Sequence, residues 1–377
     1  MSVLARSGTP SALVVAAGLA AVACTAGPPA HKPAGPTSAA SKTDGDDCVD
    51  SFAPDALPVA DVDDMMMVER IFMEDALPEK LSETPLYADI GDKSIHPALR
   101  HYTPEYQLWS DGADKERWVY VPECSSVDTS DMDNWEVPVG TRFFKEFSLD
   151  GKRIETRIIS RISDGPRDFA YASYLWNESE TEATRVDSSG LKNASGTVHD
   201  VPSKTACFQC HGTYALGGGR PSRGLGFSAI QLAHADSGLD LFALAEAGVL
   251  SHAPAELPTI PGDATARAAL GYLHANCGNC HNDSRDRIPQ VNLNLWLDVG
   301  LAEVEETGAW RTAVDHPTQI FNDQHVVGLA VPGHPAESAL VYRMSQRGST
   351  AQMPPVATKM VDPEGVDAVS TWIEGLE

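Results

Sequence analysis

A five-residue pattern, Cys-x-x-Cys-His, occurs twice and carries the most specific chemistry in this sequence. It reads "CFQCH" at 207–211 and "CGNCH" at 277–281. Two thiols at this spacing can each form a thioether with a vinyl group of a porphyrin, and the next histidine then lies beneath the iron as its proximal ligand. The sequence therefore predicts two covalently bound haem c groups with iron. The predicted attachment and proximal residues are Cys207, Cys210 and His211, and Cys277, Cys280 and His281.

The same letters have two other interpretations. A thioredoxin-like redox pair belongs in a βαβ setting and does not require the histidine. Half of a zinc site would need its remaining ligands close in sequence or on a small ribbon. Two complete copies of the pentad favour haem attachment over both.

The second haem is expected to take Met353 as its sixth ligand. A thioether sulfur is a soft ligand, and a His/Met pair raises the reduction potential of the iron. Pro354 and Pro355 follow directly and stiffen the loop that presents the sulfur. Met344 and Met360 are the competing sulfurs, and we interpret them mainly as core residues.

The first haem lacks such a sulfur nearby, because no methionine occurs between Asp133 and Arg343. His199, just before the first pentad, is the leading candidate for the sixth ligand and so for the metal site. Other histidines, a distant methionine and an open position remain alternatives. The other histidines nearest in sequence are His234, His252 and His274.

Two further motifs have both a binding and a structural interpretation. In "GGGRPSRGLG", Arg220 and Arg223 are predicted to pair with haem propionates, since guanidinium binds carboxylate well. The alternative is a surface loop with two solvated charges. In "WSDGADKERW", Asp111 and Asp114 can bind a ligand or cation, but Asp-Gly is also an ordinary turn, and the turn is favoured.

Several segments resemble known bacterial proteins. "YLHANCGNCH", "VPGHPAESALVYRM", "QMPP" and "VDPEGVDAVSTWIEGL" are similar to a bacterial c-type cytochrome domain. In such domains the helix before the pentad crosses a C-terminal helix, and the Met-Pro loop covers the haem. Upstream, "LWSDGADKERWVYVP", "VPVGTRFFKEF" and "ETRIISRI" resemble exported dihaem c-type cytochromes with a β-rich N-terminal module. This resemblance implies haem binding and electron transfer.

The elements that must position the pentads differ between the two halves of the chain. Asp150-Gly151 predicts a hairpin turn, and the alternation from Ile154 to Ile162 predicts a strand after it. "RWVYVPE" and "FAYASYLW" predict further strands. Helices are predicted after the caps Asp263 and Asp362. The expected fold class is α+β multidomain, with a β-sandwich-like module followed by a mainly α-helical, cytochrome c-like dihaem region.

The predicted organisation has five parts. It comprises a signal peptide at 1–23, a flexible tether at 24–47, a β-rich module at 48–200, a first haem c segment at 201–262 and a second cytochrome c-like domain at 263–377. "AVAC" resembles a lipobox, which predicts a lipid anchor at Cys24 and a periplasmic or cell-envelope location. Cys48 and Cys124 remain, and a disulfide between them is favoured over two buried thiols.

The formal net charge of −25 bears on the partners. Acidic surfaces repel phosphates, so nucleic acid is not expected as a partner, and redox proteins with basic docking patches are. The expected function is single-electron transfer between protein partners, and no catalytic base or nucleophile set is identified. The alternatives are a dihaem peroxidase or oxidase with an open first haem, and a haem-coupled ligand-sensing module.

Overall fold

One antiparallel sheet organises the part of the chain that the structure describes. The structure is a computed structural model, and it describes residues 77–162, 169–211, 224–234, 239–283 and 291–377, all of which belong to one compact unit. The predictions for the signal peptide, the tether, Cys24 and Cys48 lie outside these residues. Within them, no helix combines the length and apolarity needed to cross a bilayer.

The main sheet has six strands that pair in chain order. The hairpin predicted at Asp150-Gly151 joins β5 to β6, and both turn residues have positive φ. A separate two-stranded sheet precedes it and contains β1 (Tyr87–Asp89) and β2 (Ser94–Ile95). The strands of the main sheet are β3 (Arg100–His101), β4 (Asp114–Tyr120), β5 (Arg142–Leu149), β6 (Lys152–Arg161), β7 (Phe169–Trp176) and β8 (Ala183–Arg185).

Each face of this sheet buries a different part of the chain. Residues such as Trp118, Phe144 and Tyr174 pack against the leucines of residues 77–99. Because successive side chains on a strand point to opposite faces, their neighbours Val119 and Phe143 join the other core, with residues 227–250. We call this second side the motif face, because the helix that carries the first pentad contacts β7 there.

Six α-helices lie among the described residues. Asp263 caps α3 by accepting a hydrogen bond from Ala266 N at 2.9 Å, and Asp362 caps α6 through Gly365 N at 3.1 Å. Both helices are therefore confirmed with the predicted caps. The helices are α1 (Lys204–His211), α2 (Leu241–Glu246), α3 (Ala264–Asn276), α4 (Gly308–Ala313), α5 (Ala339–Met344) and α6 (Pro363–Glu374).

The predicted packing of α3 against α6 is also confirmed. Leu270 and Leu273 share a buried cluster with Val369 and Ile373. Gly365 permits the close approach, because a Cβ at this position would lie 2.1 Å from Cζ of Tyr272. The second pentad therefore follows a helix that is firmly packed.

The predicted fold class is wrong in two respects. Among its described residues, the β-rich region holds one six-stranded sheet and one small two-stranded sheet, and loops and short helices cover the large sheet, so the region is not sandwich-like. Among its described residues, the region after residue 200 is not mainly α-helical, because its helices are separated by turns and irregular segments such as 251–263 and 345–361. The physical reason is composition: these connections are rich in proline, glycine, serine and threonine, which favour turns.

Candidate functional site

The first pentad forms the second half of α1, where Cys207 N donates to Ser203 O at 3.0 Å. Its cysteines and histidine line a cavity against the motif face of the sheet. The rings of His211 and Tyr171 lie 5.9 Å apart. The apolar part of the lining includes Tyr102, Phe143, Ile159, Tyr171 and Leu225. We call this space the first cavity.

The second pentad follows directly from α3. Cys277 N donates to Leu273 O at 2.9 Å, and His281 N donates to Cys277 O at 2.9 Å, so the chain turns tightly. Gly278 is needed there, because a Cβ would lie 2.7 Å from His274 O. The second cavity opens beside this turn. Its lining includes Cys277, Cys280, His281, Met344, Met353, Pro354 and Pro355.

The two pentads meet in space. A hydrogen bond joins the side chains of Cys210 and Cys280; it raises the pKa of Cys210 well above the ordinary thiol value and lowers that of Cys280. Burial raises the pKa of Cys207 to about 11 and that of Cys277 to about 12. All four are free thiols. The structure therefore gathers four sulfur atoms of two distant sequence segments into one region.

The second pentad's histidine has an unusual environment. Burial first, and then the charge of Arg343, lowers the pKa of His281 to about 4, so the ring is neutral at pH 7. Among the described side chains, its Nδ1 is buried and lacks a hydrogen-bond partner. This neutral, half-buried imidazole lines the second cavity together with Met353.

The three methionines considered as the sixth ligand of the second haem differ in their environments. Met353 lines the second cavity, and its backbone N donates to Arg343 O at 3.0 Å. Met344 is buried in the same lining, whereas 44% of Met360 is exposed. The structure therefore brings Met353 and Met344, but not the side chain of Met360, to the second pentad.

The four histidines considered for the first pentad all bond to protein groups. His199 is buried, bonds to Glu155 at 2.6 Å and is not among the residues that line the first cavity. The remaining three have equally ordinary partners, namely Thr103 O for His234, Ser251 for His252, and Leu297 N for His274. His199 was predicted to be an iron ligand. In the structure its imidazole is hydrogen-bonded to a carboxylate instead.

The prediction of two covalently bound haem c groups with iron must be corrected. Among the described residues, no group of three or more histidine, cysteine, aspartate or glutamate side chains is placed to hold a metal ion. The reason lies in the partners described above: the thiols of Cys210 and Cys280 share a hydrogen bond, and His199 hydrogen-bonds to Glu155.

Asp111 gives the "WSDG" motif a structural role, because its carboxylate holds the loop that follows Met353. Its carboxylate accepts hydrogen bonds from Lys359 N and Met360 N, each at 2.9 Å. Trp109 adds a bond from its indole to Met360 O at 3.0 Å. Asp114 is exposed. The favoured structural interpretation of the motif holds for Asp111, but the segment that Asp111 binds was not predicted.

A row of cations in the first cavity was not predicted from the sequence. Arg117, Lys145 and Arg157 lie directly opposite one another on β4, β5 and β6, and all three line the cavity. The position of Lys145 in the sequence could have indicated it. Lys145 is two residues from Phe143 and two from Phe147, so in an alternating strand it faces the same core.

Two predictions concern residues outside the described ranges. Arg220 and Arg223 both lie there, so their predicted pairing with a ligand stays a prediction. Cys124 is disulfide-bonded, and Cys48, its predicted partner, also lies outside those ranges.

Comparison with known proteins gives no match. No family model, no curated protein and no solved structure matches this chain.

Proposed function

We propose that this chain is an exported electron-transfer protein that passes single electrons between protein partners, and that the two pentads take part in the transfer. The contact between Cys210 and Cys280 carries the proposal. It joins the two redox-capable segments into one continuous region, as a relay between a donor and an acceptor requires. The resemblance to exported electron-transfer proteins supports the same function.

The number of electrons in each step is the sharpest test. Dithiol pairs exchange two electrons, which gives a slope of about 30 mV per tenfold change in the redox ratio, whereas a one-electron centre gives about 59 mV. We expect the exported full-length chain to show one-electron steps in an equilibrium redox titration. Slopes of about 30 mV, with thiols appearing on reduction, would instead indicate dithiol exchange and contradict the proposal.

Cysteine variants assign the steps to the pentads. Replacing Cys207 and Cys210 together by serine is expected to change the redox titration, and so is the same change at Cys277 and Cys280. His252→Ala is the control, because this histidine is exposed and its side chain hydrogen-bonds to its neighbour Ser251. Unchanged titrations in both double variants would place the redox centre elsewhere.

The proposed location depends on the predicted lipid anchor at Cys24. Cys24→Ser is expected to move the protein from the membrane fraction to the soluble envelope fraction without altering the redox titration. Fractionation followed by immunoblotting measures this. A variant that stays with the membrane would refute the anchor while leaving the electron-transfer proposal to its own test.

A further inference from the structure

Two strongly exposed apolar side chains lie on the loop that precedes α5. Ile320 is 72% exposed and Val327 is 67% exposed, and both values exceed those of the other large apolar side chains exposed among the described residues. Neither belongs to a buried cluster of that part of the chain. Single exposed apolar residues are ordinary on protein surfaces, but apolar neighbours with a polar rim mark interaction sites. The surroundings of this pair therefore decide its meaning.

The ring of Tyr342 holds the loop at two points. Its centroid lies 5.9 Å from that of Phe321 and 5.8 Å from that of His325, and the ring of His325 is stacked on it. Ile320 directly precedes Phe321, and Val327 is two residues after His325. Both exposed side chains therefore belong to the surface around this ring and are presented by a loop with defined contacts.

This surface borders the second cavity. Phe321 lines the second cavity together with His281 and Met353, and Ile320 lines a groove that also includes His281. Arg343 lies over the ring of Phe321 at 4.6 Å and is part of the same cavity lining. A partner that contacts Ile320 is therefore placed beside the second pentad.

The charges around the pair are acidic. Residues 312–342 contain three carboxylates, those of Asp315, Asp323 and Glu337, and no lysine or arginine. Asp315 and Glu337 are exposed, and the backbone N of Val327 donates to Glu337 O at 2.9 Å. A partner that covers this surface must therefore supply positive charge opposite these carboxylates.

We infer that Ile320 and Val327 form the apolar centre of a docking site for a basic protein, with Asp315, Asp323 and Glu337 as its acidic rim. Protein interfaces combine an apolar centre with a polar rim, and complementary charge speeds the encounter and selects the partner. A second copy of this chain would bring the same carboxylates, and anionic lipid would repel them. The role of the partner rests on the proposed electron transfer, whereas the contact rests on the exposed side chains and their charges.

Mitochondrial cytochrome c, a small basic redox protein, is the probe for this site. Its lysine-acetylated form is the matched control, because acetylation removes the positive charges. We expect the full-length chain to bind the native probe in isothermal titration calorimetry at low ionic strength and to bind the acetylated probe much more weakly. Added salt should weaken the binding of the native probe, since it screens the attraction.

Substitutions on the loop locate the contact. Ile320→Ser and Val327→Ser should each weaken binding roughly tenfold, because an apolar side chain is no longer buried by the partner. Glu337→Gln should weaken it roughly twofold to fivefold and reduce its dependence on salt. Phe242→Ser on α2 and Glu178→Gln after β7 are the controls, since both residues are exposed, and they should leave the affinity unchanged.

Two results would overturn the docking site. One is equal binding of native and acetylated probe, and the other is equal affinity in the loop variants and the two controls. Urea denaturation checks folding, and the midpoints of the serine variants should stay near that of the unsubstituted chain because the replaced side chains are exposed. Sedimentation analysis tests the rival occupant: self-association that Val327→Ser abolishes would assign the surface to a second copy and overturn the inference.

The equilibrium redox titration separates this inference from the proposed function. Ile320→Ser and Val327→Ser should keep the titration of the unsubstituted chain while they lose affinity for the probe, which supports the docking site. Unaltered affinity together with one-electron steps overturns the docking site alone. Two-electron slopes together with the expected loss of affinity overturn the proposed function and support the contact.

Discussion

Asp111 shows how one buried carboxylate can organise a distant loop. It is 7% exposed and has φ of 53°, a conformation that aspartate and asparagine tolerate better than most residues. Its bonds to Lys359 N and Met360 N hold the segment that follows Met353. The position of the Met353 sulfur in the second cavity therefore depends on a residue far away in the sequence.

Asp111→Ala is expected to destabilise the protein by about 2–3 kcal/mol, because hydrogen bonds to a charged acceptor contribute about 1.5–3 kcal/mol each. Asp111→Asn keeps an acceptor and the backbone conformation and should cost about half as much. Urea unfolding measures both. Asp114→Ala, at an exposed position of the same motif, should change stability by less than about 0.5 kcal/mol; equal losses at both positions would refute the clamp.

Glu155 makes the stability of the protein sensitive to acid. Burial raises its pKa, but the opposing effects of Arg157 and His199 are larger together and lower it to about 2. A carboxyl with a folded-state pKa below its unfolded value stabilises the protein above about pH 4.5, and this stabilisation is lost as the pH falls towards 2. The expected loss is roughly 3 kcal/mol.

Glu155→Gln should remove this part of the pH dependence. At pH 7 the variant should be about 3–5 kcal/mol less stable, because Arg157 and His199 lose their buried counter-charge. Denaturation at a series of pH values measures both effects. Glu178→Gln, an exposed carboxylate near the same sheet, should keep the wild-type slope, and a wild-type slope in Glu155→Gln would contradict the assignment.

At the level of elements, local sequence signals predicted the positions of strands and helices well. They did not predict which surfaces pack against each other. The β5–β6 hairpin and the helices α3 and α6 each have a turn or cap residue beside a clear apolar period, so their positions followed from the sequence. The layers over the sheet could not be predicted in this way. Residues 77–99, 224–234 and 239–250 cover it largely with loops and short helices, and such segments lack a periodic pattern.

Gly365 is expected to set the distance between α3 and α6. Gly365→Ala should destabilise the protein by about 1–3 kcal/mol, because the added methyl group would overlap the ring of Tyr272. In a Tyr272→Ala background the same change should cost much less. Gly375→Ala is the control, since its Cβ would meet ordinary contacts at 3.6 Å; thermal unfolding of the four variants measures the coupling, and additive losses would exclude this contact.

For the whole molecule, the sequence located the two pentads, but it predicted haem attachment for them, which is corrected above, and it did not predict that they meet. The thiols and Met353 were recognisable because each is part of a short motif. The contact between Cys210 and Cys280 and the row through Lys145 depend on how α1 packs on the sheet and on strand register. Both arise from interactions between distant segments, which short-range spacing does not encode.

The net charge of −25 gives the last prediction, which concerns how partners approach. A strongly acidic protein attracts cationic partners at low ionic strength. Added salt shortens the Debye length and so weakens this attraction. We expect the rate of electron exchange with hexaammineruthenium(III) to fall roughly tenfold or more between about 10 mM and 0.5 M salt. The rate with anionic ferricyanide should rise over the same range. Stopped-flow kinetics measure both, and rates that respond to salt in the same direction for the two mediators would exclude basic partners steered by this charge.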